Sequence, residues 1–349
     1  MKLGGYPAIS LADAREAARE VFSETGKGGD PAAARRATGQ AAEANTLSLI
    51  ARQFITRYAK RRNRSWQETE RILERYVLPE WGDRPISEIT RRDILDLLDG
   101  MVDRGVPVMA KQTHATIRKL FYWALDRDII STSPCVRVPV PGAAAERDRV
   151  LTDEELRAVW LACDPLGWPF GAVVRLLILT AQRRDEVATT EWGDLDLDQR
   201  LWTIPGRRTK NGQTQEVPLC AAAVSILSEV PRTSDVFVFS TDGRVPVAGF
   251  STAKRRLDAL CGVSDWVLHD LRRTTATGLA RLGEAPHVVE KVLNHKSGTV
   301  SGVAAIYNRH GYLDEKRQAL DAWARRVNAI VTGEPAKVVT IGRTRQARP

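Results

Sequence analysis

The chain runs to 349 residues, 43% of them hydrophobic, with a formal net charge of +9. That is enough apolar material for two or three domains with real cores, and the basic balance favours a polyanionic partner, nucleic acid before an anionic membrane surface. No apolar run approaches a bilayer span, the start "MKLGGYPAIS" lacks the apolar core of a signal peptide, and Cys135, Cys163, Cys220 and Cys261 are too scattered for a C-x-x-C zinc site or a disulfide framework. Reduced thiols in a cytoplasm fit this usage.

Residues 1–43 are rich in Ala, Gly, Arg and Glu. "SLADAREAAREVF" predicts one helix with Ser10 as N-cap; "GKGGDP" breaks it, leaving too little apolar material for an independent core. Residues 44–133 predict a helical domain without a strand. There "SWQETERILERYVL" opens on a Ser65–Glu68 capping box and stops at Pro79 and Gly82, and "TRRDILDLLDGM" starts on Thr90 with Asp93. "VMAKQTHATIRKLFYWALDRDII" carries Ile117, Leu120, Phe121, Ala124 and Leu125 on one face, beside a polar stripe of Lys111, His114, Arg118 and Tyr122. Prolines at 134, 139 and 141 mark 134–146 as a linker.

The last domain, 147–331, starts on a Thr152–Glu155 capping box. "RLWTIP" and "QEVPLC" predict strands flanking "GRRTKNGQT", where Asn211-Gly212 signals a hairpin turn. "DVFVFS" predicts a further strand, helices fill the remainder, and 332–349 predict a flexible basic tail.

Candidate chemistry concentrates in this last domain. An apolar helix runs into "TAQRRDE"; an arginine near a helix end needs an anion or a carboxylate, so Arg183 meets either a phosphate or an internal partner such as Glu186. In "LHDLRRTTATG", His269 and Arg272 lie three apart and share a helix face, which suits two donors converging on one phosphate. Lys210 sits at the predicted hairpin tip, where a lysine is ordinarily just solvated, and His295 follows a helix in "VLNHKSGTV", a place more often structural. "AIYNRHGYL" sets Tyr307 and Tyr312 among basic residues. No clustered Asp/Glu set and no H-x-x-x-H is visible, so neither a metal site nor a cofactor is expected, and "GKGGDP" lacks P-loop spacing.

In their order, "TAQRRDE", "TKNGQTQEVPL", "LHDLRRTTAT", "VLNHKSGT" and "AIYNRHGYL" resemble the tyrosine recombinases, most closely the integrases of prophages and genomic islands. The resemblance covers nearly the whole chain. "TLSLIARQFITRY" to "DIISTSP" is similar to the family's helical core-binding domain, and "LGGYPAISLADARE" to the last strand and helix of its arm-binding domain, which implies a truncated module. The implied fold is multidomain and mainly α: a SAM-like helical core-binding domain plus a mixed α+β catalytic domain with a small antiparallel sheet. The implied activity is site-specific DNA cleavage and rejoining through a 3′-phosphotyrosine, for integration or excision of a mobile element, with no cofactor.

By the family's pattern Tyr307, in "YNR", is the nucleophile. Arg183 and Arg272 would clamp the non-bridging oxygens, because a guanidinium fork matches phosphate and stays charged. His269 would accept the tyrosine proton, Lys210 would protonate the leaving 5′ oxygen, His295 would bond a non-bridging oxygen, and Glu186 would orient Arg183 or His269. Candidate DNA contacts are Arg57, Lys60, Arg61, Arg62 and Arg64 in "RYAKRRNR", with Lys111, Arg118, Arg207, Arg208 and Arg273; a charge run is equally a solvated face. Implied partners are double-stranded DNA, three further copies in a DNA-bound homotetramer, a host DNA-bending protein and an excisionase, at the nucleoid in a bacterial cytoplasm and not at a membrane. "DEKRQALDAWARRV" would dock on a neighbouring copy through Leu313, Leu320, Trp323 and Val327, or pack in cis. Other readings are a catalytically silent, architectural DNA-binding protein and a tyrosine enzyme that only relaxes supercoils. Ala181 and Asn294 depart from the family's pattern, where glycine is usual.

Overall fold

A computed structural model of the protein describes residues 10–26, 45–142, 147–295 and 310–334. Helix α1 (Leu11–Gly26) starts on Ser10, whose Oγ accepts the Asp13 N–H at 3.2 Å. Two compact units divide between Glu146 and Arg147, and each has its own apolar core.

The first unit is helical. Helices α2 (residues 47–62) and α3 (residues 66–81) each contain a π-helical turn, Ile55–Ala59 and Leu73–Val77. Helix α5 (Pro107–Leu125) packs on both and on α4 (Arg91–Asp103). Phe54, Ile94, Leu98, Met101, Ile117 and Phe121 fill the centre. Thr90 caps α4 as expected: its Oγ1 accepts the Asp93 N–H while Asp93 accepts the Thr90 N–H at 2.7 Å.

Several expectations are corrected here. Ser65 makes no side-chain cap, because its ψ of 41° is not extended and Glu68 is taken by Arg71 at 2.7 Å. Pro79 does not stop α3. The π-turn before it shifts the ladder, with Leu78 N–H donating to Leu73 O, and Pro79 fits the second position of the final turn, Leu78–Trp81, where its missing N–H is not needed. His114 is buried with Thr113 rather than part of an open polar stripe, while Lys111, Arg118 and Tyr122 are exposed. Cys135 and Val138 are buried in this core, so the first residues of the expected 134–146 linker belong to the helical unit.

In the second unit α6 (Asp153–Leu166) opens on the Thr152–Glu155 box and packs against α7 (Phe170–Thr180) and α10 (Phe250–Cys261). The short α8 (Arg184–Ala188) follows α7. The sheet runs β1-β2-β3, all antiparallel: β1 (Leu195–Asp196), β2 (Leu201–Ile204) and β3 (Gln215–Pro218), with Trp202 opposite Val217. Strand β1 was not foreseen. "DVFVFS" is not a strand; beyond one bridge from Phe237 to Glu191, Ser234 Oγ takes the N–H groups of Val236 and Phe237 and curls the segment locally. Helices α9 (Ala221–Ser228), α11 (Leu268–Arg281), α12 (Pro286–Val292) and α13 (Leu313–Thr332) complete the unit. All four cysteines are free thiols, and burial pushes Cys163 up to about 12. Among the described residues no helix is long and apolar enough to cross a membrane.

Helix α13 packs in cis, the second of the two placements expected for its apolar stripe. Leu320, Trp323 and Val327 are buried in the unit's own core. The Trp323 indole donates to Ile178 O at 2.8 Å, and Lys316, also buried, donates to Glu216 O at 2.6 Å. Gly278 on α11 lies against Trp323, and a Cβ there would come within 2.1 Å of a ring carbon. Trp323→Ala is expected to destabilise this unit by about 3–5 kcal/mol through the cavity it opens. Urea denaturation measures this; an unchanged midpoint would return α13 to a role outside the core.

Candidate active site

Four of the expected reacting residues converge on the second unit. Helix α7 ends at Thr180, and the chain turns through Ala181, buried and in the left-handed region at φ 56°. An alanine there costs about 1 kcal/mol, which is the physical reason glycine suits this place. The turn delivers Arg183 to the start of α8. Glu186, 4% exposed, accepts both the Arg183 N–H at 3.0 Å and its Nη1 at 2.9 Å. Between Arg183 and His269, the two groups Glu186 was expected to orient, it binds Arg183.

Helix α11 supplies His269 and Arg272. Asp270, fully buried, accepts the Val267 N–H at 2.9 Å, Arg147 Nε at 3.0 Å and Arg273 Nη1 at 2.6 Å, which fixes the start of the helix. Burial pushes Asp270 up, but these donors outweigh it and hold the carboxyl below its ordinary range. Arg272 is 4% exposed, and its two terminal nitrogens donate to Ala181 O and Leu293 O. Burial, reinforced by the charge of Arg183, pushes it down to about 10.

His295 follows α12, one residue after Asn294, which is also left-handed at φ 48°. Asparagine tolerates that region better than other non-glycine residues. The imidazoles of His269 and His295 reach the surface. Partial burial, then the arginines, hold both below the ordinary histidine value: Arg273, Arg272 and Arg183 act on His269, and Arg272 and Arg183 on His295. Arg183 and the two imidazoles therefore share one electropositive, open surface with the buried Arg272 close behind it.

Lys210 is exposed on the loop joining β2 and β3. Gly212 has φ 75° but Asn211 does not have positive φ, so the loop is not the tight two-residue turn expected. Sequence reading missed the side chains that bind this surface together. Gln182 and Gln215 both donate to Val292 O, at 3.1 and 2.9 Å, and Asn211 contacts Asn294. The one sequence signal was Asn294 standing where glycine is usual. Tyr307 lies outside the described residues. Among the described residues no group of three His, Cys, Asp or Glu is placed to hold a metal.

The proposed DNA contacts divide. Arg57, Lys60, Arg61, Arg62 and Arg64 are exposed at the end of α2 and just beyond it, with Lys60 over the Trp66 ring at 4.3 Å. Lys111 and Arg118 are exposed along a groove that Tyr58 and Tyr122 also line. Arg207 is exposed near Glu191 at 3.5 Å. Arg208 is mostly enclosed and paired with Asp194 and with Glu191 at 3.3 Å. Arg273 is likewise engaged by Asp270 and only partly open.

Comparison with known sequences follows the same divisions. The Arm DNA-binding domain matches residues 1–38, the Phage integrase central domain 47–139 and the Phage integrase family 149–312. The chain belongs to the phage integrase family. Membership makes it a tyrosine-type, site-specific DNA recombinase. Prophage integrase IntZ of Escherichia coli K12 is 26% identical, over 95% of this chain and 84% of its own length. The integrase of Shigella phage Sf6 is 22% identical over 93% and 85%. The fold is similar to that of lambda integrase in a tetramer bound to a Holliday junction, with a TM-score of 0.63 at 21% identity over 86% of this chain and 91% of that one.

Proposed function

We propose that the protein cleaves and rejoins DNA through a 3′-phosphotyrosine formed by Tyr307, for integration or excision of a mobile element. The carrying observation is Arg272, a buried guanidinium whose hydrogen bonds go to carbonyls, held near a second positive charge, Arg183. Of the two only Arg183 has a carboxylate partner, Glu186, so an anion at this place would be stabilised by the remaining charge, and a phosphodiester supplies one. In the step, the Tyr307 oxygen attacks phosphorus as its proton passes to His269. The bond to the 5′ oxygen breaks as Lys210 gives that oxygen a proton. Arg183, Arg272 and His295 hold the non-bridging oxygens. Rejoining reverses the step, and the covalent link conserves the bond energy.

Exposed basic side chains on α2 and α5 would follow the DNA backbone. A homotetramer on DNA, a host DNA-bending protein and an excisionase complete the reading, with the bacterial nucleoid as its place of action. A nicked suicide substrate tests it: a covalent adduct is expected, and it should survive excess EDTA, because the arginines supply the positive charge. An adduct that vanishes in EDTA and returns with magnesium would overturn this mechanism.

The lowered histidines set a pH dependence. His269 can accept a proton only when neutral, and its pKa lies below the usual value near ~6.5. Cleavage should therefore hold as pH falls to ~6.5 and decline only below it. A single-turnover pH profile with its acid limb above ~6.5 would exclude His269 as the base.

A further inference from the structure

Lys210 is exposed, so what places its ammonium is its neighbours in the chain. On one side Thr209 is buried, its hydroxyl donating to Gln213 O at 2.8 Å. On the other, Asn211 Nδ2 donates to Asn294 Oδ1 at 2.7 Å and to Asn294 O at 3.0 Å, and Asn294 Nδ2 returns a longer contact to Asn211 Oδ1 at 3.4 Å. Asn211 follows Lys210; Asn294 precedes His295. The pair therefore ties the β2–β3 loop to the histidine segment.

The histidine side of this tie is itself a fixed frame. The last carbonyls of a helix lack partners within it. Here Val292 O is taken by Gln182 and Gln215, and Leu293 O by Arg272. Asn294 O is taken by Asn211. Asn294 suits the place because it tolerates positive φ and its side chain carries both a donor and an acceptor. Glycine would satisfy the backbone but leave the loop without the side-chain half of the tie.

We propose that Asn211 and Asn294 form an amide latch that positions Lys210 beside His295 for proton delivery to the leaving 5′ oxygen. Both are positioning residues, acting through Lys210, and the inference rests on the general-acid role proposed for that lysine. With the latch open, the ammonium samples a wider volume and meets the leaving oxygen less often.

The test compares two suicide substrates in full-length protein, one with the natural oxygen and one with sulfur at the 5′ bridging position. A thiolate leaves without a proton, so sulfur removes the need for the acid. Asn294→Gly keeps the backbone comfortable, and Asn211→Ala opens the same latch from the loop side. Each is expected to slow single-turnover cleavage of the oxygen substrate about tenfold, as a small misplacement of a reacting group does, and to leave the sulfur substrate at the parent rate. Lys210→Ala should lose more with oxygen and be rescued by sulfur. Parent-rate cleavage of the oxygen substrate by both asparagine variants, with Lys210→Ala still rescued, overturns the latch alone; so does equal loss on both substrates. Failure of sulfur to rescue Lys210→Ala overturns the assignment of Lys210 and the latch with it.

Discussion

Tyr307→Phe is expected to bind DNA as the parent does and to form no covalent adduct, while Tyr312→Phe continues to form one. Both tyrosines lie in the same basic stretch, so local charge does not separate them. The surroundings of Tyr312 argue against it as the nucleophile. Tyr312 stands at the start of α13 with φ 51°, its ring 5.0 Å from that of His287 and 4.7 Å from that of His310, with Lys291 at 5.8 Å from its centroid. That ring is built into the junction between α12 and α13. A nucleophile must reach phosphorus and then release the product strand, which a ring fixed in a junction does poorly. Loss of the phenol oxygen at 307 removes the attacking atom, so the residual rate should fall below detection. Peptide mapping of the trapped adduct decides it: a DNA-linked peptide modified at Tyr312 would reverse the assignment.

Arg183→Lys and Arg272→Lys are each expected to slow cleavage by at least ~10²-fold, the usual effect of losing one fixed donor to a developing charge, with a modest loss of DNA affinity. Lysine keeps the charge but not the planar fork. At 183 an ammonium can still pair with the buried Glu186 but lacks the rigid planar fork that presents a second nitrogen outward, and because the pair is kept stability should change by only about 1 kcal/mol. At 272 the guanidinium spans Ala181 O and Leu293 O, which one ammonium cannot do. A buried carbonyl left unpaired costs about 1–3 kcal/mol, so Arg272→Lys should also melt earlier. Arg183→Lys separates chemistry from folding. If its activity falls only in proportion to its melting temperature, the Arg183–Glu186 pair is a fold element and the clamp is lost.

The parts of the fold that could be read beforehand are those set by neighbours in sequence. Thr90 and Thr152 cap their helices through residues three places on, and Ile117, Leu120 and Phe121 repeat at helical spacing. Strands β2 and β3 announced themselves through Trp202, Ile204 and Val217 on either side of a polar loop. The convergence of Arg183, His269, Arg272 and His295 was legible only through the order of their motifs, because nothing local links α8, α11 and α12. What escaped reading depends on contacts far along the chain. Arg208 looks like any basic loop residue until Asp194 and Glu191 fold onto it. The apolar stripe of α13 is the same whether it meets another subunit or its own Ile178 and Gly278. Ala181 and Asn294 showed in the sequence only as departures from a usual glycine; their positive φ arises from the sharp exits the chain makes after α7 and α12.

The Gly278–Trp323 contact bears on how sequences of this kind diverge. The ring occupies the volume that any side chain at 278 would need, so a substitution there is admissible only after position 323 has shrunk. Shrinking 323 first opens a cavity and removes one of the two side-chain donors to the carbonyl of Ile178, leaving only the Thr275 hydroxyl. Either order passes through a poorly folded ancestor. The two positions thus form one inherited unit, and a lineage that holds tryptophan at 323 is committed to glycine at 278 even though neither residue touches DNA chemistry.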